Sequence, residues 1–148
     1  MDSAKYLARI DSLCTGDLTV QHSESDVLME GPGYRIVSLE ATHGTRTGDG
    51  ARRVRTVEDF HALKEHISRL LDDRWGAQQP PWWMGTLVVR IDRGEAIPEP
   101  WATASTLVDE LNLWQPDGSC RWVAVGVADA DLGDGIHLLV LVTDTDPP

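Results

Sequence analysis

The chain has little of what usually announces a function. Its 148 residues include two cysteines, Cys14 and Cys120, which neither build a disulfide framework nor supply a four-sulfur metal site. Reduced thiols in a cytoplasmic protein are the simpler expectation. No run approaches the roughly 18–20 consecutive apolar residues that a bilayer-spanning helix needs. The first residues, Met1-Asp-Ser-Ala-Lys-Tyr-Leu-Ala-Arg9, lack the apolar stretch of a signal peptide. Gly-x-Ser-x-Gly and His-Glu-x-x-His are both absent, and the glycines at 44–50 are not followed by Gly-Lys-Ser/Thr, so no hydrolase elbow, zinc-protease helix or phosphate loop can be assembled. Lysine is scarce as well, two against eleven arginines, a bias expected of a GC-rich gene and read as carrying no functional signal. Neither a catalytic residue nor a cofactor is assigned.

What is present begins with charge. Of the formal net charge of −11, residues 92–148 carry −9, with eleven carboxylates against Arg93 and Arg121 alone. The rest of the chain is nearly balanced, apart from one basic reversal, Arg46 to Arg55, with four arginines against Asp49. Such a balance favours a cationic partner and argues against nucleic acid as a general ligand. Six tryptophans against one phenylalanine add large apolar faces whose indole N–H groups need partners, which suits core edges and interfaces.

Hydrophobic content of 41% and charged content of 25% fit a globular chain, and the length fits one domain over residues 1–148. Residues 3–14 read as a helix and Leu18–Val20, Val27–Met29 and Tyr34–Leu39 as strands, with Gly31-Pro-Gly33 as a turn. A long helix is predicted from Val57 to Trp75, with Thr56 as N-cap and Val57, Phe60, Leu63, Ile67, Leu70 and Leu71 on its apolar stripe. Met84–Ile91 reads as a strand because Leu87-Val-Val89 is apolar and β-branched. Trp101–Trp114 reads as a second amphipathic helix, with Ala104, Leu107, Val108, Leu111 and Trp114 on its buried stripe. Arg121–Ala128 and Ile136–Thr143 are apolar at consecutive positions, which places both centrally in a sheet covered on two faces. The expected architecture is α+β, a mainly antiparallel sheet packed by two or three helices, in the order α-β-β-β-α-β-α-β-β.

Four groups of residues are candidates for chemistry or contact. Glu58-x-x-His61, continued by Glu65 and Asp72, has the spacing of a carboxylate-bridged di-metal helix. A partner helix with a second such motif is needed, and 101–114 offers Asp109 and Glu110 but no histidine, so the face is read as solvated and no metal is assigned. The connection Asp129-Ala-Asp131-Leu-Gly-Asp134-Gly135 looks like a calcium loop, but Asp134 stands where the turn glycine belongs and Val140 where the bidentate glutamate belongs. Cys14 lies on the apolar side of its helix and reads as an inert packed thiol, with Cys120 the more reactive of the two. Finally, successive residues of Trp82-Trp83 point to opposite faces, so one is expected in the core and the other at the surface, a good interface anchor.

These observations favour a non-enzymatic protein-binding module that occludes a basic partner, of the immunity or antitoxin type. Its predicted contact surface is Trp82 or Trp83 with Asp109, Glu110, Asp129, Asp131 and Asp134. One alternative is a ligand-binding domain or small enzyme with a pocket between sheet and helices, where Glu58, His61, Cys120 and His137 are the residues of interest. Another is a homo-oligomer whose Arg46–Arg55 segment meets the acidic half of a second copy.

Overall fold

In the computed structural model the described residues are 3–15, 27–31, 33–42, 50–76, 82–116, 121–128 and 136–146. They form one six-stranded antiparallel sheet with helices on both faces. The elements in chain order are α1 (Ser3–Thr15), β1 (Val27–Gly31), β2 (Tyr34–Thr42), α2 (Gly50–Trp75), β3 (Trp82–Trp83), α3 (Gly85–Asp92), α4 (Trp101–Leu107), β4 (Glu110–Trp114), β5 (Trp122–Ala128) and β6 (Ile136–Thr143). Across the sheet the strands run β1-β2-β6-β5-β4-β3. The α+β architecture expected from the sequence therefore holds. The two most apolar strands, β5 and β6, are the central pair, with all of β6 and all of β5 but Trp122 buried.

Side chains sort between two cores by strand alternation. On one face Ile136, Leu138, Val140 and Val142 of β6 and Val123, Val125 and Val127 of β5 pack with Tyr6, Ile10 and Leu13 of α1 and with Phe60, Leu63, Ile67 and Leu71 of α2. On the other, Leu139 and Leu141 of β6 and Ala124 and Ala128 of β5 meet Met84, Leu87, Trp101, Ala104 and Val108. Strand β5 is thus large toward the long helices and small toward the short ones. Gly126 belongs to the small side: a methyl group there would come within 3.0 Å of Leu111 Cδ2 and 3.1 Å of Val108 Cγ1. This thin face lets Trp101, which is fully buried, sit close to the sheet while its indole N–H donates to the Thr145 carbonyl at 3.2 Å. Full burial of each large aliphatic side chain contributes about 1.5–3 kcal/mol, an upper range because the unfolded chain is not fully solvated.

Three elements differ from the sequence expectation. Helix α2 begins at Gly50, not near Val57; Thr56 lies inside it, and the C-terminal part of the Arg46–Arg55 segment is helical backbone. Alanine and arginine are strong helix formers, and their propensity in 51–55 outweighs the turn signal of Gly48-Asp-Gly50. Met84–Ile91 is a helix rather than a strand. Short apolar runs fit either state, and β-propensity yields to context; here Trp82-Trp83 already provides the sheet edge. The Trp101–Trp114 segment is divided, a helix to Leu107 and then strand β4. Glu110-Leu-Asn-Leu-Trp114 also alternates with period two, and pairing of Asn112, Leu113 and Trp114 with Val125, Ala124 and Val123 decides in favour of the strand. Leu111 and Trp114, assigned to a single helical stripe by the sequence, consequently belong to opposite cores.

Arg121 ties the C-terminal end of α1 to the sheet. Its Nη1 donates to the carbonyls of Leu13 and Cys14 at 3.0 and 2.7 Å, and its Nε to Asp144 at 3.2 Å, so a cation occupies the negative end of the helix dipole.

Candidate functional site

Helix α2 and strand β4 run in the same direction, and a polar seam joins them. Positions 64, 68 and 72 recur every four residues on the helix, while 110, 112 and 114 recur every two on one face of the strand. Each pair meets. Trp114 Nε1 donates to Asp72 Oδ1 at 2.9 Å, Asn112 Nδ2 donates to Ser68 Oγ at 2.9 Å, and Lys64 Nζ lies 3.8 Å from Glu110 Oε1. Ser68 in turn donates to the Lys64 carbonyl at 2.8 Å, a back-bond to the preceding helical turn. Lys64 and Ser68 occupy the boundary between the apolar stripe of α2 and its solvated wedge, which is why they meet the sheet edge rather than either core or water.

The third rung is looser than the other two, and open space borders it. A cavity of about 360 Å³ is lined by His61, Lys64, Glu65, Ser68, Arg69, Asp72, Glu110 and Asn112. A second of about 230 Å³ is lined by His61, Lys64, Asp109, Glu110 and Val127. His61, Lys64 and Glu110 border both. The Lys64 side chain is buried, whereas Glu110 is half exposed. Burial pushes the Lys64 ammonium below the ordinary lysine value, opposed by the carboxylates of Glu110 and Glu65. Among the described residues, one buried atom of the seam has no partner: Asn112 Oδ1, on a residue only 7% exposed. A buried acceptor left without a donor costs about 1–3 kcal/mol.

A second feature lies beside the seam, at the sheet edge. Trp83 pairs with Glu110 across β3 and β4, as Trp82 does with Leu111, so Trp83 shares the face of Glu110. The two tryptophans divide as their alternation predicts. Trp82 packs into the core against Trp101, ring centroids 5.5 Å apart, and Trp83 is 63% exposed. The Trp83 ring lies against Gly85, where an added Cβ would stand 2.3 Å from Trp83 Cζ2. At 100° per residue Val88 and Val89 follow Gly85 on the outward side of α3, opposite buried Leu87, and Val88, Val89 and Ile91 are all exposed. The solvent side of α3 therefore carries two valines beside the exposed Trp83.

No family model matches the chain, and no curated protein or solved structure matches it either.

Of the residues singled out from sequence, the structure gathers Trp83, Asp109 and Glu110 at one edge, with the Met84 amide donating to the Asp109 carbonyl at 2.8 Å. Trp82 is largely consumed by the core. Asp129, Asp131, Asp134 and Cys120 lie outside the described residues, as does the expected strand at 18–20. His61, Glu65 and Asp72 line the larger cavity while Glu58 does not; among the described residues no three His, Cys, Asp or Glu side chains converge as metal ligands do. His137 is buried in β6, with Nδ1 2.9 Å from Ser38 Oγ, far from the seam in strand order. Cys14 is half-buried, and burial, reinforced by Asp11, raises its thiol to about 11, in keeping with an unreactive sulfur. The residues that sequence reasoning missed are Lys64, Ser68 and Asn112. One signal was available: in a chain that uses arginine almost everywhere, Lys64 is one of two lysines, and only lysine can surrender its charge on burial.

Proposed function

We propose that the chain is a non-enzymatic protein-binding module that captures a basic protein partner, in the manner of an immunity or antitoxin-type inhibitor of a basic bacterial effector. The observation that carries this reading is the exposed pair Val88 and Val89 on the outward side of α3, with Trp83 laid over Gly85. Soluble proteins rarely expose large contiguous apolar patches without a use for them, and tryptophan is among the residues most enriched at interface hot spots. The partner's charge follows from the surroundings: Asp109 and Glu110 stand at the same edge, and the C-terminal part of the chain carries nearly all of the net negative charge. Carboxylates around an apolar anchor speed the capture of a cationic protein and reject acidic ones.

The test uses the basic proteins encoded by genes adjacent to this one, each purified and titrated against the chain. One of them should bind. Trp83→Ala should then weaken binding by about thirtyfold, a hot-spot loss of about 2 kcal/mol. Replacing Asp109, Glu110, Asp129, Asp131 and Asp134 by their amides should slow association and flatten its salt dependence without much change in the dissociation rate. If binding is indifferent to Trp83→Ala, or the association rate of the neutralised variant is unaltered, the assignment of this surface is wrong.

A further inference from the structure

Lys64 has no part in docking at Trp83, yet it is placed unlike an ordinary lysine. Its side chain is 7% exposed, and the seam brings it to the border of both cavities, of about 360 and 230 Å³. Its ion pair with Glu110 is long at 3.8 Å, where charged donors and acceptors usually close to about 2.7–2.9 Å. A primary amine that is withdrawn from bulk water, loosely paired and beside open space is set up as a nucleophile.

We propose that Lys64 Nζ is a covalent attachment site for a small uncharged aldehyde or ketone, captured reversibly in this cleft as a Schiff base. The ammonium first gives up a proton, for which Glu110 is the adjacent acceptor. The amine lone pair then adds to the carbonyl carbon, and proton transfer from nitrogen to oxygen leaves a carbinolamine. Return of the first proton to the hydroxyl expels water and forms the C=N bond. Ammonium and carbonyl compound thus become iminium and water, and nothing is oxidised or reduced.

Three features select this class. Burial weakens the hold of Lys64 on its proton, although Glu110 and Glu65 pull the other way, so the free base is easier to reach than in an exposed lysine. The iminium carries the same single positive charge as the ammonium it replaces; Glu110 stays its counter-ion and no buried charge is left uncompensated. The lining sets the charge of the ligand. Lys64 and Arg69 stand among Glu65, Asp72 and Glu110 in the larger cavity, and Asp109 joins in the smaller. That acidic excess disfavours carbonyl compounds bearing carboxylate or phosphate. The larger cavity falls at the lower end of the range for small-molecule sites. This inference goes beyond the docking proposal and does not rest on it.

The chain carries its own control, because its other lysine, Lys5, is exposed on α1. The full chain is incubated at neutral pH with propanal, acetone or benzaldehyde, and with glyoxylate as the anionic counterpart. Cyanoborohydride reduces and fixes the imine, and peptides containing Lys5 and Lys64 are quantified by mass spectrometry. At least one neutral carbonyl compound should modify Lys64 about tenfold faster than Lys5. In concentrated guanidinium chloride the two lysines should react alike, and glyoxylate should show no preference for Lys64 in the native chain. A lysine that is merely packed away reacts more slowly than an exposed one, so a purely structural role reverses the expected order. The proposal is overturned if every neutral compound modifies Lys5 as fast as Lys64 or faster. It is equally overturned if the preference persists in the denatured chain, or if glyoxylate shares it.

Discussion

Asn112→Leu is expected to leave the protein as stable as before or more so, although it deletes a buried side-chain hydrogen bond. The substitution preserves the branching at Cγ and exchanges the amide for two methyl groups. It removes the donation from Asn112 Nδ2 to Ser68 Oγ at 2.9 Å, a net loss of about 1 kcal/mol. Ser68 keeps its own donation to the Lys64 carbonyl, so no buried donor is newly orphaned. Against this, the partnerless Oδ1 disappears, relieving a desolvation cost of about 1–3 kcal/mol. The balance runs from zero to about 2 kcal/mol in favour of leucine, which for a chain of this size raises the melting temperature by up to several degrees. Ser68→Ala makes the comparison sharp. It strands Asn112 Nδ2 as a second buried group without a partner, so it should cost about 1–3 kcal/mol. Urea unfolding of parent, both single variants and the double variant, with m-values checked for constancy, measures the cycle. A loss of more than about 2 kcal/mol for Asn112→Leu, at unchanged m, would refute the reasoning, since it would mean that the oxygen is compensated in the native state.

Two further outcomes follow from the same structure. In alkaline solution native Lys64 releases its proton below the ordinary lysine value of 10.5; the unfolded chain then binds more protons, and stability rises as pH climbs toward that value. Cys14 acts with the opposite sign, because an unfolded thiol ionises near 9.0 and the native one near about 11, so stability falls across that window. Urea midpoints of Lys64→Met should lose the rise and those of Cys14→Ala should lose the fall. At Gly85 a methyl group would overlap the Trp83 ring; Gly85→Ala should change stability by less than about 1 kcal/mol, since it improves helix propensity, yet displace the indole, seen as a change in tryptophan emission and loss of partner binding comparable to that of Trp83→Ala.

Much of this fold is legible in the residues, and the parts that are not have physical reasons. Helix α1, the stripe of α2, and strands β1, β2, β5 and β6 each carry one dominant period, so local pattern and tertiary structure agree. Residues 84–91 and 101–114 carry two. Val88 and Val89 are apolar on the side of α3 that faces water, which blurs the polar stripe by which a surface helix is recognised; the feature proposed as functional is the one that hides the helix. Residues 110–114 satisfy helical and strand spacing at once, and the open edge of β5 settles the choice. Asp109, Glu110 and Trp83 were visible as separate signals, but their adjacency depends on strand order, which no local pattern encodes. The seam stays hidden for the same reason, since its strand half also has helical spacing and a single lysine carries no local pattern.

The pairing of α2 with β4 behaves like a vernier. Four helical residues advance about 6.0 Å and two strand residues about 6.6 Å, so the two scales slip by about 0.6 Å at every rung. Two rungs in step, at Ser68 and Asp72, are followed by one that has fallen behind, and the gap at Lys64 is where the molecule opens. Changes of residue type along the seam can therefore be absorbed, but changes of length cannot. A single residue inserted into 110–114 would swap Asn112 for a leucine facing the helix, and one inserted between Lys64 and Asp72 would turn half the ladder away by about 100°.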